Sequence, residues 1–118
     1  MSGGLTTHVL DTARGVPAGG MQIELFRLDG AERTLLCSVV TNQGGRTDAP
    51  LIAQGELYSG VYELVFDVAG YFAASDLPVS QPAFLTLVPL RFGVADARTH
   101  YHVPLLVSPW AYSTYRGS

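Results

Sequence analysis

Lysine is absent from the 118 residues, and all seven basic side chains are arginines. Charged residues of either sign make up only 14% of the chain, against about 25% in an average soluble domain. The formal net charge is -3 and the arginines form no basic run, which argues against nucleic acid as a partner. The single cysteine, Cys37, excludes an internal disulfide. Within Leu35-Leu36-Cys37-Ser38-Val39-Val40 it reads as a buried strand residue. No apolar run is long enough to span a membrane. No charged segment followed by an apolar stretch marks a secretory signal at the N-terminus. Gly-x-Ser-x-Gly, phosphate-loop and dinucleotide glycine motifs are missing as well. What is abundant is apolar character, at 47% of residues. So much apolar surface with so little charge predicts that part of it is hidden in an oligomer.

The patterning is that of a β protein organised as one domain over residues 1–118. Met21 to Arg27 alternates, with Met21, Ile23 and Leu25 on one face, and Asp29-Gly30 follows as a turn signal. Thr34 to Thr41 is β-branched and apolar, and Asn42 to Asp48 is a loop by composition. Gly60 to Asp67 alternates again, and Phe84 to Phe92 and His100 to Ser108 read as two further strands. Val68 to Ser75 predicts a short helix, kept short by Gly70. Strands spaced by about 8–15 residues without a long helical pattern predict an all-β, two-sheet antiparallel β-sandwich with one short helix.

Three histidines interrupt this apolar pattern. His8 lies in Leu5-Thr6-Thr7-His8-Val9-Leu10-Asp11, and His100 and His102 flank Tyr101. On a strand from His100 to Ser108, Tyr101, Val103, Leu105 and Val107 form the core face. The other face then carries His100, His102, Pro104, Leu106 and Ser108, a mixed surface suited to a subunit contact. Histidine exchanges protons near neutral pH. Arg46 follows Gly44-Gly45 and offers a fixed cation to carbonyls or anions. Taken singly, each of these residues is equally readable as a solvated surface group. A metal reading has His8, His100 and His102 as ligands with Asp11 or Asp96 behind them. Without an acidic cluster it is the weaker alternative. The chain ends in Tyr112-Ser113-Thr114-Tyr115-Arg116-Gly117-Ser118, an unusually polar and aromatic terminus.

These segments resemble the 5-hydroxyisourate hydrolases, the enzyme branch of the transthyretin-like family. The resemblance is carried by Leu5-Thr6-Thr7-His8-Val9-Leu10-Asp11-Thr12, Gly15-Val16-Pro17-Ala18, Thr41-Asn42 through Gly45-Arg46-Thr47-Asp48, His100 through Pro109, and the terminal Tyr115-Arg116-Gly117-Ser118. It implies a β-sandwich of roughly seven or eight strands. It also implies a homotetramer, a dimer of dimers whose central channel holds the sites. Carried onto this sequence, the site residues are His8, Arg46, His102, Tyr115 and Ser118, with the role of His100 open.

The implied reaction is hydrolysis of 5-hydroxyisourate, the product of urate oxidation, by attack of water on a ring carbonyl. The product needs a decarboxylase to reach allantoin. One of His8 and His102 is the general base, Arg46 stabilises the oxyanion, and Tyr115 positions the flat ring. Ser118 acts through its hydroxyl or its terminal carboxylate. No metal, organic cofactor, nucleic acid or membrane is implied. No peroxisomal address is seen, so a cytoplasmic location is expected, with a peroxisomal one open in a eukaryote. The rivals are a transthyretin-like binding protein for small aromatic ligands and an adhesive sandwich module, whose expected context is a larger secreted chain.

Overall fold

A computed structural model of the protein describes residues 3–117. The strands are β1 (Leu5–Thr6), β2 (Val9–Asp11), β3 (Val16–Pro17), β4 (Gln22–Asp29), β5 (Glu32–Val40), β6 (Gly60–Asp67), β7 (Leu87–Val94), β8 (Tyr101–His102), β9 (Leu105–Val107) and β10 (Tyr112–Thr114). One helix, α1 (Val68–Ala73), follows β6.

The long strands form one antiparallel sheet in the order β5-β4-β6-β7. Alternation explains it: Ile23 and Leu25 of β4, Leu64 and Phe66 of β6, and Val88 and Leu90 of β7 all point into the core. Each such side chain contributes about 1.5–3 kcal/mol by leaving water. β4 and β5 form a hairpin with Asp29 opposite Glu32. Its turn contains Gly30 at φ +59, so the Asp-Gly signal acts as expected. β5 runs along the edge and leaves Leu35, Leu36 and Val40 exposed. Cys37 is half-buried on it, short of the full burial expected. Burial pushes its thiol pKa up, away from a reactive thiolate.

The second layer is built from short pieces. Its four-stranded sheet runs β10-β9-β2-β3, and β1 pairs with β8 beside it. Two of these pairings, β1 with β8 and β2 with β9, are parallel. They lay the start of the chain along its end. The His100–Ser108 segment therefore departs from a single strand. Pro104 has no N–H to give a ladder, and the strand breaks at Val103-Pro104. The hydrogen bonds from Val103 N to Thr6 O (3.0 Å) and from Leu105 N to His8 O (2.9 Å) carry the pairing across the break. Tyr101, Val103, Leu105 and Val107 face the core as the alternation requires, but Pro104 is buried too.

The helix ends two residues earlier than the Val68–Ser75 segment suggested. Asp67 caps it by accepting from Gly70 N at 2.9 Å. Tyr71 Oη donates to Asp11 Oδ2 at 2.8 Å, and Arg14 Nε donates to the same oxygen at 2.8 Å. This ties α1 to β2 and holds the Asp11 carboxyl below the usual carboxylate range despite the opposing effect of burial.

Candidate active site

The site forms where β1 gives way to β2 and β8 to β9. His8 lies between β1 and β2, with Nε2 2.9 Å from Gly44 O. A carbonyl only accepts, so in this bond the ring donates and Nε2 carries the hydrogen. Gly44 belongs to the loop that bears Arg46. Asn42 shapes that loop: its Oδ1 accepts from Gly44 N (2.9 Å) and Arg46 N (3.2 Å), and its Nδ2 donates to Asp48 Oδ1 (3.0 Å). Gly45 has φ +75, and a Cβ there would lie 2.3 Å from Val9 O, so only glycine lets the loop dock on β2. The docking bond runs from Val9 N to Gly45 O at 2.8 Å. Arg46 is exposed and lines a cavity of about 160 Å³ with Thr6, Thr7, Asp48 and Pro50.

His102 is half-buried on β8, in register with Thr6 of β1. Thr6 Oγ1 lies 2.9 Å from His102 Nδ1 and 2.9 Å from His100 Nε2. Burial, and then the electrostatic influence of Arg46, His8 and His100, push the His102 pKa below the usual imidazole value. The four groups are thus close enough to interact electrically. His102 is held neutral, with a nitrogen fit to accept a proton. Gly117 N donates to His102 O at 2.7 Å, and a Cβ on Gly117 would lie 2.6 Å from His102 Cδ2. The end of the chain packs on the edge of this ring, a contact that glycine alone permits.

His8, Arg46 and His102 are therefore brought together. Tyr115 lines a different cavity, of about 500 Å³, with Phe92, Tyr101, Tyr112 and Arg116; none of His8, Arg46 and His102 lines it. Ser118 lies outside the described residues. Among the described residues no cluster of three His, Cys, Asp or Glu side chains is arranged to hold a metal ion. The expected acidic partners are engaged elsewhere, Asp11 with Arg14 and Tyr71 and Asp96 with Arg98 at 2.9 Å. Nothing in the sequence singles out Thr6 or Asn42 for a role in the site. The register that places Thr6 against His102 arises only from the parallel pairing.

The HIUase/Transthyretin family model matches residues 5–117. The chain belongs to this family. 5-Hydroxyisourate hydrolase 2 of Rhizobium meliloti strain 1021 is 58% identical over 117 residues, covering 99% of this chain and 98% of that one. The solved structure of Klebsiella pneumoniae 5-hydroxyisourate hydrolase matches with a TM-score of 0.80 at 33% identity, covering 98% of this chain and 99% of the other. (S)-allantoin synthase matches with a TM-score of 0.93 at 48% identity. That match covers 99% of this chain and 44% of the synthase chain, so this chain spans less than half of that protein. The all-β sandwich with its short helix is the transthyretin-like fold of the family.

Proposed function

We propose that this chain, acting as one transthyretin-like domain over residues 1–118, hydrolyses 5-hydroxyisourate in the degradation of urate. The names of its full-length relatives support the substrate. The observation that carries the reading is a half-buried His102 whose Nδ1 lies 2.9 Å from Thr6 Oγ1, with its neutral form favoured by burial and by the charge of Arg46. His102 takes a proton from water through Nε2, and the water attacks the ring carbonyl. Arg46 stabilises the oxyanion that develops there. His8, whose Nε2–H is committed to Gly44 O, lends a second imidazole to the same wall. Protonated His102 then returns a proton to the leaving nitrogen, the C–N bond breaks, and a carboxylate remains. The reading invokes no covalent intermediate, metal or organic cofactor.

Ser118 braces an imidazole through its hydroxyl or carboxylate; Tyr115, which lines the other cavity within one subunit, positions the flat ring by reaching the site of a neighbouring subunit. The packing of Gly117 on the His102 ring supports a terminus close to the site. The assembly is a homotetramer, a dimer of dimers with the sites at the dimer–dimer interface. Exposed Phe84, Tyr58, Trp110 and Leu87 support extensive association. The location is cytoplasmic. A transthyretin-like carrier of small aromatic ligands is the rival; it needs an apolar channel but no neutral imidazole beside a fixed cation. Freshly made 5-hydroxyisourate separates the two when its ultraviolet absorbance is followed in the presence of a chelator. The expected result is rapid, protein-dependent loss of absorbance. A decay no faster than in buffer overturns the proposal.

A further inference from the structure

The hydroxyl of Thr6 lies 2.9 Å from two imidazole nitrogens, His100 Nε2 and His102 Nδ1. A hydroxyl owns one hydrogen and can donate it to only one ring; the other ring must donate into the oxygen. The two imidazoles are therefore coupled through Thr6, and the state of one fixes the state of the other. His100 is exposed while His102 is half-buried, so the pair joins the interior of the site to water. We propose that Thr6 is a positioning residue that keeps His102 in its Nδ1–H form and relays protons between His102 and His100. The proposal rests on the reading of His102 as general base and deepens it.

In the arrangement suited to a base, His102 donates Nδ1–H to Thr6 Oγ1. Thr6 donates its hydrogen to His100 Nε2, and Nε2 of His102 keeps a lone pair. When that lone pair takes a proton from water, His102 becomes a cation with hydrogen on both nitrogens. The Nδ1 hydrogen then passes to Oγ1 while the hydroxyl hydrogen passes to His100 Nε2. One N–H and one O–H bond break, and one O–H and one N–H bond form. The positive charge has moved to His100, and His102 retains hydrogen on Nε2. When that hydrogen passes to the leaving nitrogen, the relay runs in reverse: His100 Nε2 returns its hydrogen to Oγ1, Oγ1 returns one to His102 Nδ1, and His102 ends neutral in its starting Nδ1–H form. Opening a cyclic amide near neutral pH ends in a carboxylate and releases one proton net. Exposed His100 gives that proton a path to water. The opposite arrangement, with Thr6 donating to His102, leaves hydrogen on Nε2 and no base.

The charged and titratable groups facing this pair are few. Arg46 and His8 act on His102. Arg116 places Nη2 3.5 Å from His100 O and 3.1 Å from Thr99 Oγ1. Neither ring has a carboxylate hydrogen-bonded to it among the described residues. The hydroxyl of Thr6, and no acidic side chain, orients His102.

Nitrogen-15 NMR of the histidine rings and ring-opening kinetics test this together in the intact protein, Thr6→Val, Thr6→Ser and His100→Gln. We expect His102 in the Nδ1–H form in the intact protein and displaced toward Nε2–H in Thr6→Val. Turnover of Thr6→Val should fall by about 10–100-fold, as when an orienting partner of a metal-bound imidazole is lost. Thr6→Ser should recover most of it. In His100→Gln the amide oxygen still accepts from Thr6 but carries no proton, so turnover should fall and rise again with added imidazole buffer. An Nε2–H form in the intact protein overturns the proposal. So does a Thr6→Val protein that loses turnover with its tautomer unchanged, or a His100→Gln protein with full turnover at low buffer. The NMR arm needs no substrate. Intact protein that fails to open 5-hydroxyisourate would remove the proposed function while the tautomer measurement still decides the role of Thr6; should Thr6→Val fail to fold, the intact and Thr6→Ser proteins carry that arm.

Discussion

The two layers of this sandwich are built on different terms. In the sheet β5-β4-β6-β7 every strand has eight or nine residues, every pairing is antiparallel, and alternation sends Ile23, Leu25, Leu64 and Phe66 inward. In the opposite layer strands of two or three residues alternate with breaks, and two pairings are parallel. The breaks are where the candidate site residues stand. His8 sits between β1 and β2, His102 at the end of β8, and Arg46 on a loop hydrogen-bonded to the start of β2. A regular ladder commits its backbone groups to neighbouring strands and its side chains to a core or to water. In the interrupted layer a loop carbonyl, Gly44 O, and a hydroxyl on a two-residue strand, Thr6 Oγ1, meet imidazoles. One layer supplies rigidity and the other uses it.

That division can be broken by mutation. The largest effect should come from the regular sheet. Phe66→Ala, at a fully buried position, should cost about 3–5 kcal/mol of stability. Its ring-opening rate per folded molecule should stay near that of the parent in denaturant titration and kinetics combined. On the other layer, Arg46→Ala and His8→Ala should each lower turnover by about 10²-fold or more, with melting temperatures close to the parent because neither side chain belongs to the core. Equal losses of stability and activity in either residue would merge the two layers into one role.

The terminus gives a smaller contrast. Residues added after Ser118 lie next to Gly117, which already packs on the His102 ring. A C-terminal tag should therefore depress ring opening well below that of an N-terminally tagged protein, with similar melting temperatures. Equal activity from both would leave Tyr115 to Ser118 without a catalytic part.

The smallest effect is a shift in pH dependence. The His102 pKa is lowered, first by burial and then by Arg46, His8 and His100. Its neutral form is favoured in the folded protein, so the acid limb of kcat/KM should lie below the usual imidazole value. Arg46→Gln removes one of the lowering charges and should move the limb of the residual activity upward. The sign for stability follows. The contribution of His102 is present above the ordinary imidazole pKa and is lost as pH falls through its lowered folded value. A pH series of melting temperatures in the parent and His102→Gln checks this.

Much of the regular layer was legible in the sequence. Gly60 to Asp67 has the strand's own limits because alternation continues up to the cap of α1, and Asp29-Gly30 marks the hairpin. The other layer was not. Strands of two or three residues are too short to show a period, and pairing between residues more than ninety positions apart, as in Thr6 with His102, leaves no local trace. The break at Pro104 was visible only as a proline within an apolar run. His8, Arg46 and His102 could be nominated because ionisable residues stand out in an apolar, charge-poor chain. Thr6 and Asn42 could not, since a hydroxyl and an amide in such segments are common and their roles depend on which backbone they face.

The proposed chemistry depends most heavily on His102, and one measurement addresses it directly. Loss of 5-hydroxyisourate absorbance is followed with the parent and with His102→Gln at equal folded concentration, each checked by circular dichroism and melting temperature. The account predicts two folded proteins of similar melting temperature, the variant slower by about 10²-fold or more. A folded His102→Gln protein that opens the ring at the parent's rate would contradict it.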